Sequence, residues 1–322
     1  MPNKEAHKKL INFYKKMLFY RRFEERVLVA YTQRKFSGFC HVHIGQEAVC
    51  VGVQEALEAK DYVLGSYRSH TQALAKGISA EAVFAELFGK ESGCCRGKGG
   101  SMHMFSQEHR FLGGNGIVGA QAPVATGVGF AIKYRSEKSV VVCYLGDAAM
   151  NQGAVFEAMN MAAVWSLPVL FVIENNKYGM GTDIRRVTSV DKLYKRALAF
   201  DMDHSEVDGM NVLSVHEHCS SLVNKMKENP RPHLLEAHTY RYKGHSVSDP
   251  ALYRTKEEVS NYQQKDPLLQ LEKTILDSGV LSKEELENLD KQIKTEVREA
   301  EKKAEEADSP KVSDVWTDVL SN

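Results

Sequence analysis

The chain has 322 residues, enough for one large α/β domain or two smaller ones. Hydrophobic residues make up 43% and charged residues 26%, which is typical of a protein with a packed core. The 42 basic residues balance 42 acidic ones, so neither a nucleic acid nor a membrane surface is favoured as the main partner. No apolar run is long enough to span a bilayer.

The first segment, MPNKEAHKKLINFYKKMLFYRRFEER, is basic and aromatic. It lacks the apolar core and the small-residue cleavage site of a signal peptide. Glu5, Glu24 and Glu25 disfavour a mitochondrial presequence, and serines are absent. The segment therefore predicts a basic amphipathic helix packed on the domain of a bacterial-type, cytoplasmic protein.

Strand-like apolar runs alternate with helix-like runs up to about residue 249, without an internal repeat or a low-complexity linker. This alternation predicts an α/β fold, with a doubly wound, mostly parallel sheet flanked by helices. The predicted strands cover residues 62–65, 139–145 and 168–173, and the predicted helices cover residues 80–88, 121–134 and 152–165.

Asp147 and Asn176 each follow one of the predicted buried strands. A right-handed strand–helix–strand unit places both strand ends at the same edge of a parallel sheet, where ligands usually bind. One carboxylate and one amide oxygen at that edge would suit Mg²⁺ carrying a diphosphate. Helix caps and turn residues are the alternative interpretation of this pair.

The segment GGNGIVGAQ contains Gly114, Gly116 and Gly119 in the spacing of a dinucleotide fingerprint. That interpretation is rejected, because no strand precedes the segment and Glu137 comes before the next strand instead of ending it. A loop whose backbone approaches a flat ring or a phosphate is favoured, and a tight turn before a helix is the alternative.

Two further segments contain candidate site residues. His245 in YRYKGHSVSDP is a natural acid–base group near neutral pH, although a lone loop histidine is more often a surface residue. Arg68, beside Tyr67 in SYRSH, could clamp a diphosphate, with a surface salt bridge as the alternative. His41 and His43 could suggest a metal pair, but no further ligand cluster supports one.

The six cysteines include no Cys-x-x-Cys pair, so a zinc site is not expected. Cys94 and Cys95 are adjacent in a glycine-rich loop and could form a strained vicinal disulfide. Two reduced thiols are favoured for a cytosolic protein.

The composition changes after Pro250, and the final segment is predicted to be helical. Thr255 and Ser282 each begin a capping-box pattern. An amphipathic helix follows Ser282, with an apolar stripe and a charged face over about residues 298–308 that should be solvated or packed on a partner. We divide the chain into an α/β domain over residues 1–260 and a helical extension over 261–322. The stripe consists of Leu286, Leu289, Ile293, Val297, Ala300 and Ala304.

Seven segments occur in a fixed order: FCHVHIGQEA, SYRSH, GKGGSMHMF, GGNGIVGAQ, GD…NQG…ENNKYGMGT, DGM and YRYKGHSVSDP. Each alone is weak, but the ordered set is specific. It resembles the alpha subunits of the pyruvate dehydrogenase component of 2-oxo acid dehydrogenase complexes, roughly from residue 10 to residue 255. GKGGSMHMF and ENNKYGMGT are more similar to the pyruvate type than to the branched-chain type, and acetoin dehydrogenase alpha chains share much of the pattern.

The resemblance implies a thiamine diphosphate-binding fold and a thiamine diphosphate-dependent enzyme. It implies that Asp147, the Asn176 side chain and the Tyr178 main-chain carbonyl hold Mg²⁺ on the diphosphate. His245 and His41 would lie as catalytic residues near the thiazolium and the bound 2-oxo acid. Further cofactor contacts would come from Tyr67, Arg68, Gly116, Val118, Ala148 and Ala149.

The same resemblance implies an oxidoreductase that decarboxylates pyruvate and passes the acetyl group to the lipoyl arm of a partner acyltransferase. The acidic residue that activates the aminopyrimidine would come from a beta subunit. An α₂β₂ heterotetramer is therefore expected, and this chain alone should be inactive. The alpha subunits of acetoin dehydrogenase and branched-chain 2-oxo acid dehydrogenase are the alternatives.

Position 148 departs from the resemblance, because the family usually has glycine where this chain has Ala148. Alanine adds a methyl group and disfavours positive φ. The substitution is harmless if the backbone there has negative φ, and it weakens cofactor binding if φ is positive.

Overall fold

The computed structural model describes residues 4–319 and is built around a five-stranded parallel sheet with the strand order β1-β2-β3-β7-β6. A separate two-stranded antiparallel ribbon follows β3. The strands are β1 Tyr62–Leu64, β2 Val141–Gly146, β3 Val169–Asn175, β4 Tyr178–Gly179, β5 Thr182–Asp183, β6 Asp203–Asp208 and β7 His233–His238.

The central strands are apolar on both faces because both faces are covered. Side chains alternate along a strand, so Val142 and Tyr144 of β2 enter one core while Cys143 and Leu145 enter the other. All four are at most 1% exposed. Continuous apolar runs of this kind are typical of a parallel sheet buried between helices.

Each face of the sheet has its own helices. Helices α5 and α6 contribute residues to one core, and α1, α2, α4, α7, α9 and α10 contribute to the other. The predicted doubly wound α/β fold is therefore confirmed. The helices are α1 Lys4–Thr32, α2 Glu47–Gln54, α3 His70–Ala75, α4 Ala80–Leu87, α5 Gln121–Tyr134, α6 Gly153–Val164, α7 Val212–Glu228, α8 Lys256–Gln263, α9 Pro267–Asp277 and α10 Lys283–Glu306.

The predicted elements agree with the structure to within about two residues at their ends, the usual uncertainty of element boundaries. Strands β6 and β7 were not predicted. The sequence of β6, DHSEVD, is largely polar because this strand lies at the edge of the sheet, where charged side chains discourage pairing with another chain. Such a strand lacks the apolar run that identified β2 and β3.

The basic N-terminal segment forms α1, which packs on the domain as predicted, and α10 packs against α1 and α4. The predicted stripe of α10 is buried except at Ala300, which is half-buried. The charged run of α10 was predicted to be solvated or packed on a partner, but part of it is buried within this chain. Glu301 is 3% exposed and pairs with Arg26 of α1 and with Lys35 just after α1, so a buried carboxylate attaches this part of α10 to the N-terminal segment. The division of the chain at residue 260 stays a prediction.

The carboxyl ends of β1, β2 and β3 lie side by side, because these strands are parallel neighbours. Asp147 and Asn176 directly follow β2 and β3, Ser66 is the second residue after β1, and all three line one cavity. Among the described residues, no helix is both long and apolar enough to cross a membrane.

Candidate active site

Asp147 is the first residue after β2 and begins the short 3₁₀ helix Asp147–Asn151. Its side chain is 1% exposed, and its Oδ2 atom has no hydrogen-bond partner among residues 4–319. Burial raises the pKa of Asp147 to about 6. A buried carboxylate oxygen without a partner is costly, so its position indicates a cationic ligand.

Asn176 follows β3 and supplies the second oxygen at this edge. Its Nδ2 donates to Oε1 of Gln46 at 3.1 Å, which leaves Oδ1 directed away from that contact. The Oδ1 atom has only a long contact, 3.4 Å from the backbone nitrogen of Tyr178. The Tyr178 ring is held by Glu258, whose carboxylate accepts from the tyrosine hydroxyl at 2.9 and 3.1 Å.

Ala148 occupies the space left by a glycine on the neighbouring ribbon. A Cβ built on Gly179 would lie 2.3 Å from the Cβ of Ala148, so only one of the two positions has room for a methyl group. Ala148 is not among the non-glycine residues with positive φ in the described chain. The alanine is therefore accommodated without backbone strain, which answers the question left open by the sequence.

Arg68 is buried and holds two loops of the site through their carbonyl groups. Its guanidinium donates to the Val42 carbonyl and to the His245 carbonyl, each at 2.7 Å. Burial lowers the pKa of Arg68 to about 10, which leaves it charged at neutral pH. Arg68 thus connects the chain around His41 with the chain around His245 and lines the cavity as well. The surface salt bridge considered from the sequence is wrong.

His41, Tyr67 and His245 form a cluster of three rings at the edge of the cavity. Ring centroids are 4.5 Å apart for His41 and Tyr67, 5.0 Å for the two histidines, and 5.5 Å for Tyr67 and His245. The Nδ1 atoms of both histidines have no hydrogen-bond partner among the described residues. Both rings therefore retain an unused polar atom.

Burial, reinforced by the positive charge of Arg68, lowers the pKa of both histidines, to about 2 for His41 and about 4 for His245. At neutral pH both imidazoles are uncharged. An uncharged imidazole has one nitrogen that can accept a proton and one that can donate a hydrogen bond.

The loop that carries His245 is fixed by an aspartate and an arginine. Asp249 accepts from the His245 backbone nitrogen at 2.5 Å and from the Tyr253 hydroxyl at 2.9 Å. Arg254 donates to the carbonyls of Tyr242 and Lys243 at 2.9 and 2.6 Å. His245 therefore belongs to an anchored loop and not to an irregular surface segment.

The glycines of GGNGIVGAQ are needed for close packing. A Cβ on Gly114 would lie 2.6 Å from the Met102 carbonyl oxygen and from Oγ of Ser69. Gly119 has a φ of +83° just before α5. The Gly116 backbone nitrogen donates to Nε2 of His103 at 3.2 Å. The tight turn before α5 is present, and the predicted approach of this backbone to a flat ring or a phosphate stays a prediction.

These elements enclose a cavity of about 250 Å³ at the carboxyl edge of the sheet. Of the eleven residues predicted for the site, eight line it, while His41, His245 and Gly116 lie just outside its lining. The eight are Tyr67, Arg68, Val118, Asp147, Ala148, Ala149, Asn176 and Tyr178.

The model of the family described as "Dehydrogenase E1 component" matches residues 15–313. The pyruvate dehydrogenase E1 component subunit alpha of Zymomonas mobilis is 49% identical, covering 97% of this chain and 88% of that protein. The proteins of the same name from Rhizobium meliloti and Rickettsia felis are 44% and 43% identical, covering 95% and 99% of this chain and 88% and 97% of those proteins. The chain belongs to the dehydrogenase E1 component family.

This E1 component chain has cavity residues that sequence reasoning missed. Gln46 and Gln121 are at most 2% exposed, line the cavity, and each has a side-chain amide atom without a partner among residues 4–319. Arg241 is 2% exposed and donates to the Met180 carbonyl at 3.2 Å. Both glutamines are polar residues at the starts of apolar helices, and this position could have identified them as candidate site residues.

His43 lies behind the E1 site and is not half of a metal pair with His41. Its Nε2 atom is 2.6 Å from Glu174, and its Nδ1 atom is 3.0 Å from the Thr71 hydroxyl. Both ring nitrogens therefore have protein partners. The segment that carries both histidines is an irregular loop.

Proposed function

We propose that this chain is the alpha subunit of a thiamine diphosphate-dependent pyruvate dehydrogenase E1 component, an oxidoreductase that decarboxylates pyruvate and transfers the acetyl group to the lipoyl domain of a partner acyltransferase. One observation carries the proposal: eight residues predicted to bind the cofactor line one cavity, in a chain 40–49% identical to proteins with that name. The names of these relatives favour an oxidoreductase, and they favour pyruvate over acetoin or branched-chain 2-oxo acids as its substrate.

Mg²⁺ fits the oxygen atoms at the ends of β2 and β3. Asp147 offers a buried, unpartnered carboxylate oxygen, and Asn176 offers an amide oxygen with only a 3.4 Å contact. Hard oxygen ligands of this type are those Mg²⁺ prefers when it also carries phosphate groups. The Tyr178 main-chain carbonyl is the third proposed ligand.

Two buried arginines on the cavity wall favour an anionic ligand. Arg68 and Arg241 both line the cavity, which also contains the carboxylates of Asp147 and Glu174. Tyr67, Ala148 and Ala149 complete the proposed diphosphate end, and Gly116 and Val118 are proposed to contact the aminopyrimidine.

When bound, thiamine diphosphate supplies the carbon nucleophile and the electron sink for decarboxylation, while the protein supplies orientation and electrostatics. His41 and His245 are proposed to contact the bound 2-oxo acid through their unpartnered Nδ1 atoms. The negative charge of diphosphate and substrate would oppose the effect of Arg68 and raise the low histidine pKa values. The rings could then exchange a proton with the reacting carbon or oxygen atoms.

A beta subunit is proposed to complete the site in an α₂β₂ heterotetramer. The cavity of about 250 Å³ is smaller than the roughly 300 to 1,000 Å³ of typical ligand pockets. Exposed apolar side chains also lie on α5 and α6, whose first turns adjoin the cavity, and exposed apolar patches often mark protein interfaces. They are Val124, Phe130, Tyr134, Met161, Val164 and Trp165, which is just beyond α6.

The function is tested by co-expressing this chain with its beta subunit and measuring decarboxylation with and without thiamine diphosphate and Mg²⁺. We expect cofactor-dependent turnover of pyruvate, at a higher kcat/KM than for acetoin or branched-chain 2-oxo acids. An assembled complex that binds the cofactor but prefers another of these substrates would refute the pyruvate assignment. A complex without cofactor-dependent turnover of any of them would refute the function.

The interface is tested separately by replacing Phe130, whose ring lies 5.4 Å from that of Trp165. Phe130→Ser should reduce heterotetramer formation in native mass spectrometry. Val312→Ser, at a more fully exposed apolar residue on the C-terminal segment, is the control. Unchanged assembly of the Phe130 variant would place the beta subunit on another face. A cytoplasmic location stays a prediction from the sequence.

A further inference from the structure

Cys94 and Cys95 lie outside the proposed catalytic site, in the glycine-rich loop that follows α4. Both are half-buried, they form no disulfide with each other, and their Sγ atoms are 4.0 Å apart. They line a cavity of about 590 Å³, together with His103, Phe105 and Asp318. The pair therefore combines two sulfur atoms that face each other with open space beside them.

The loop around the two thiols is held by a buried carboxylate. Glu86 is 1% exposed and accepts four backbone N–H groups of this loop. The donors belong to Cys95, Gly97, Gly99 and Gly100, at 2.7 to 3.0 Å. A carboxylate has about four lone-pair positions, so Glu86 is already satisfied and acts to position the thiols.

The Cys95 sulfur is positioned by the segment that contains His103 and Phe105, and it lies 3.4 and 3.6 Å from the carbonyl oxygens of these two residues. The Phe105 backbone nitrogen donates to the Cys95 Sγ atom at 3.1 Å. The two sulfur atoms thus form a positioned pair whose thiol protons a thiophilic cation would displace.

The distance between the sulfur atoms decides which chemistry the pair supports. A disulfide needs a separation of about 2.05 Å, roughly half the observed 4.0 Å. A tetrahedral ion about 2.3 Å from each of two sulfurs needs them about 3.8 Å apart, close to what is found. We propose that Cys94 and Cys95 bind one thiophilic divalent cation of the zinc or cadmium class between their sulfur atoms.

Binding forms two metal–sulfur bonds, breaks the two S–H bonds and releases both thiol protons to solvent. The other coordination positions face the cavity, because Glu86 is occupied and Nε2 of His103 accepts from Gly116. This differs from the closed four-ligand zinc sites, whose Cys-x-x-Cys spacing the chain lacks. The proposal does not depend on the catalytic function.

The test uses the full-length chain, reduced with a phosphine and titrated with Cd²⁺ in the presence of excess Mg²⁺. We expect one bound Cd²⁺ per chain by metal analysis after dialysis, with a thiolate-to-cadmium absorption band. Loss of an outer-shell partner already weakens metal binding about 10- to 100-fold, so Cys94→Ser and Cys95→Ser should each weaken it at least about 10-fold. Cys219→Ala, which removes a buried thiol on α7, is the matched control.

A second measurement covers the case in which a cysteine variant does not fold. Cd²⁺ should protect Cys94 and Cys95 of the unaltered chain from alkylation, as mapped by peptide mass spectrometry. Cd²⁺ binding that survives both serine substitutions, displacement by excess Mg²⁺, or unprotected alkylation at both cysteines would each overturn the proposal.

Discussion

The candidate site has two halves that are positioned by different means. Asp147 and Asn176 are delivered by adjacent parallel strands, directly after β2 and β3. His41 and His245 lie on irregular loops that are 204 residues apart in the sequence (245 − 41) and are joined by Arg68. The strand-end half, Asp147 and Asn176, depends on regular backbone pairing. The histidine half, His41 and His245, depends on a few long-range hydrogen bonds.

The two halves also differ in the direction of their pKa shifts and in their charge at neutral pH. Asp147 has a carboxylate whose pKa is raised to about 6 by burial and whose Oδ2 has no partner in the described chain. The histidines have lowered pKa values and are uncharged at neutral pH. The strand-end half thus offers an unpartnered carboxylate oxygen, whereas the histidine half offers unpartnered nitrogens on uncharged rings.

The largest effect should come from breaking the strand-end half with Asp147→Asn. This change keeps the shape of the side chain but removes the negative charge, so Mg²⁺ affinity and cofactor-dependent activity should fall by at least about 100-fold. The measurement is calorimetric titration of the assembled protein with thiamine diphosphate and Mg²⁺.

Asp201→Asn is the matched control, because Asp201 is exposed and its left-handed conformation tolerates asparagine. It should leave cofactor binding unchanged. If Asp147→Asn also binds Mg²⁺ as tightly as the unaltered protein, the metal assignment is wrong.

The histidine half is tested by Arg68→Lys. A single ammonium cannot satisfy both carbonyls in the guanidinium geometry, and each lost charged hydrogen bond costs about 1.5–3 kcal/mol. We expect the free energy of unfolding, measured with urea, to fall by that amount. The kcat should fall while Mg²⁺ affinity changes less, because Asp147 and Asn176 keep their strands.

Arg185→Lys is the control, because Arg185 is exposed and pairs only with the nearby Asp183 among its described contacts. Surface pairs contribute about 0–1 kcal/mol, so its effect should be small. An Arg68→Lys variant with unchanged stability and unchanged kcat would show that the histidine loops are held by other contacts.

The sequence predicted the strand-end half more completely than the histidine half. Apolar β-branched runs identified β2 and β3, and the parallel topology then placed Asp147 and Asn176 together. No local pattern predicts that Arg68 donates to carbonyls at 42 and 245, since those contacts exist only after the loops fold. Arg241 was missed for the same reason, whereas Gln46 and Gln121 had an unused local signal, their positions at the starts of apolar helices. Charged β6 was missed because it lies at an edge.

A methyl group added at Gly179 tests the contact between Gly179, which follows β3, and Ala148, which follows β2. It would lie 2.3 Å from the Cβ of Ala148, so one segment must move. We expect Gly179→Ala to lower the free energy of unfolding by about 1–3 kcal/mol, as in other overpacked sites. Gly153→Ala is the control, because no atom lies within 4 Å of its added Cβ. Equal stability of the two variants would contradict this packing.

The pH dependence of Mg²⁺ binding should distinguish the halves further. The ordinary pKa of Asp147 is 3.8 and the folded value is about 6, so the folded chain holds a proton more readily than the unfolded chain. This contribution to stability is present below about pH 4 and is lost as the pH rises through 6. Mg²⁺ competes with that proton, so affinity should level above pH 6 and fall about tenfold per pH unit below it.

The measurement is Mg²⁺ titration from pH 4.5 to 8, a range chosen to bracket the pKa of about 6. Comparison of stability with Asp147→Asn, which has no carboxyl proton to lose, isolates the contribution of this residue. A flat affinity profile through pH 6 would mean that Asp147 does not bind the ion, whereas a transition near pH 4 would mean that its pKa is not raised.

The smallest effect is expected for Ala148→Gly, the change to the residue usual in the family. Ala148 does not have positive φ, so glycine relieves no strain and instead adds conformational entropy to the unfolded chain, costing about 0.5–1 kcal/mol. Cofactor affinity should stay within about fourfold, since one methyl is worth only about 0.8 kcal/mol even when fully buried. In the double variant Ala148→Gly, Gly179→Ala the methyl group moves across the contact, so its stability should exceed that of Gly179→Ala alone. Additive effects would show that positions 148 and 179 do not share one space, because only contacting residues give a coupling energy.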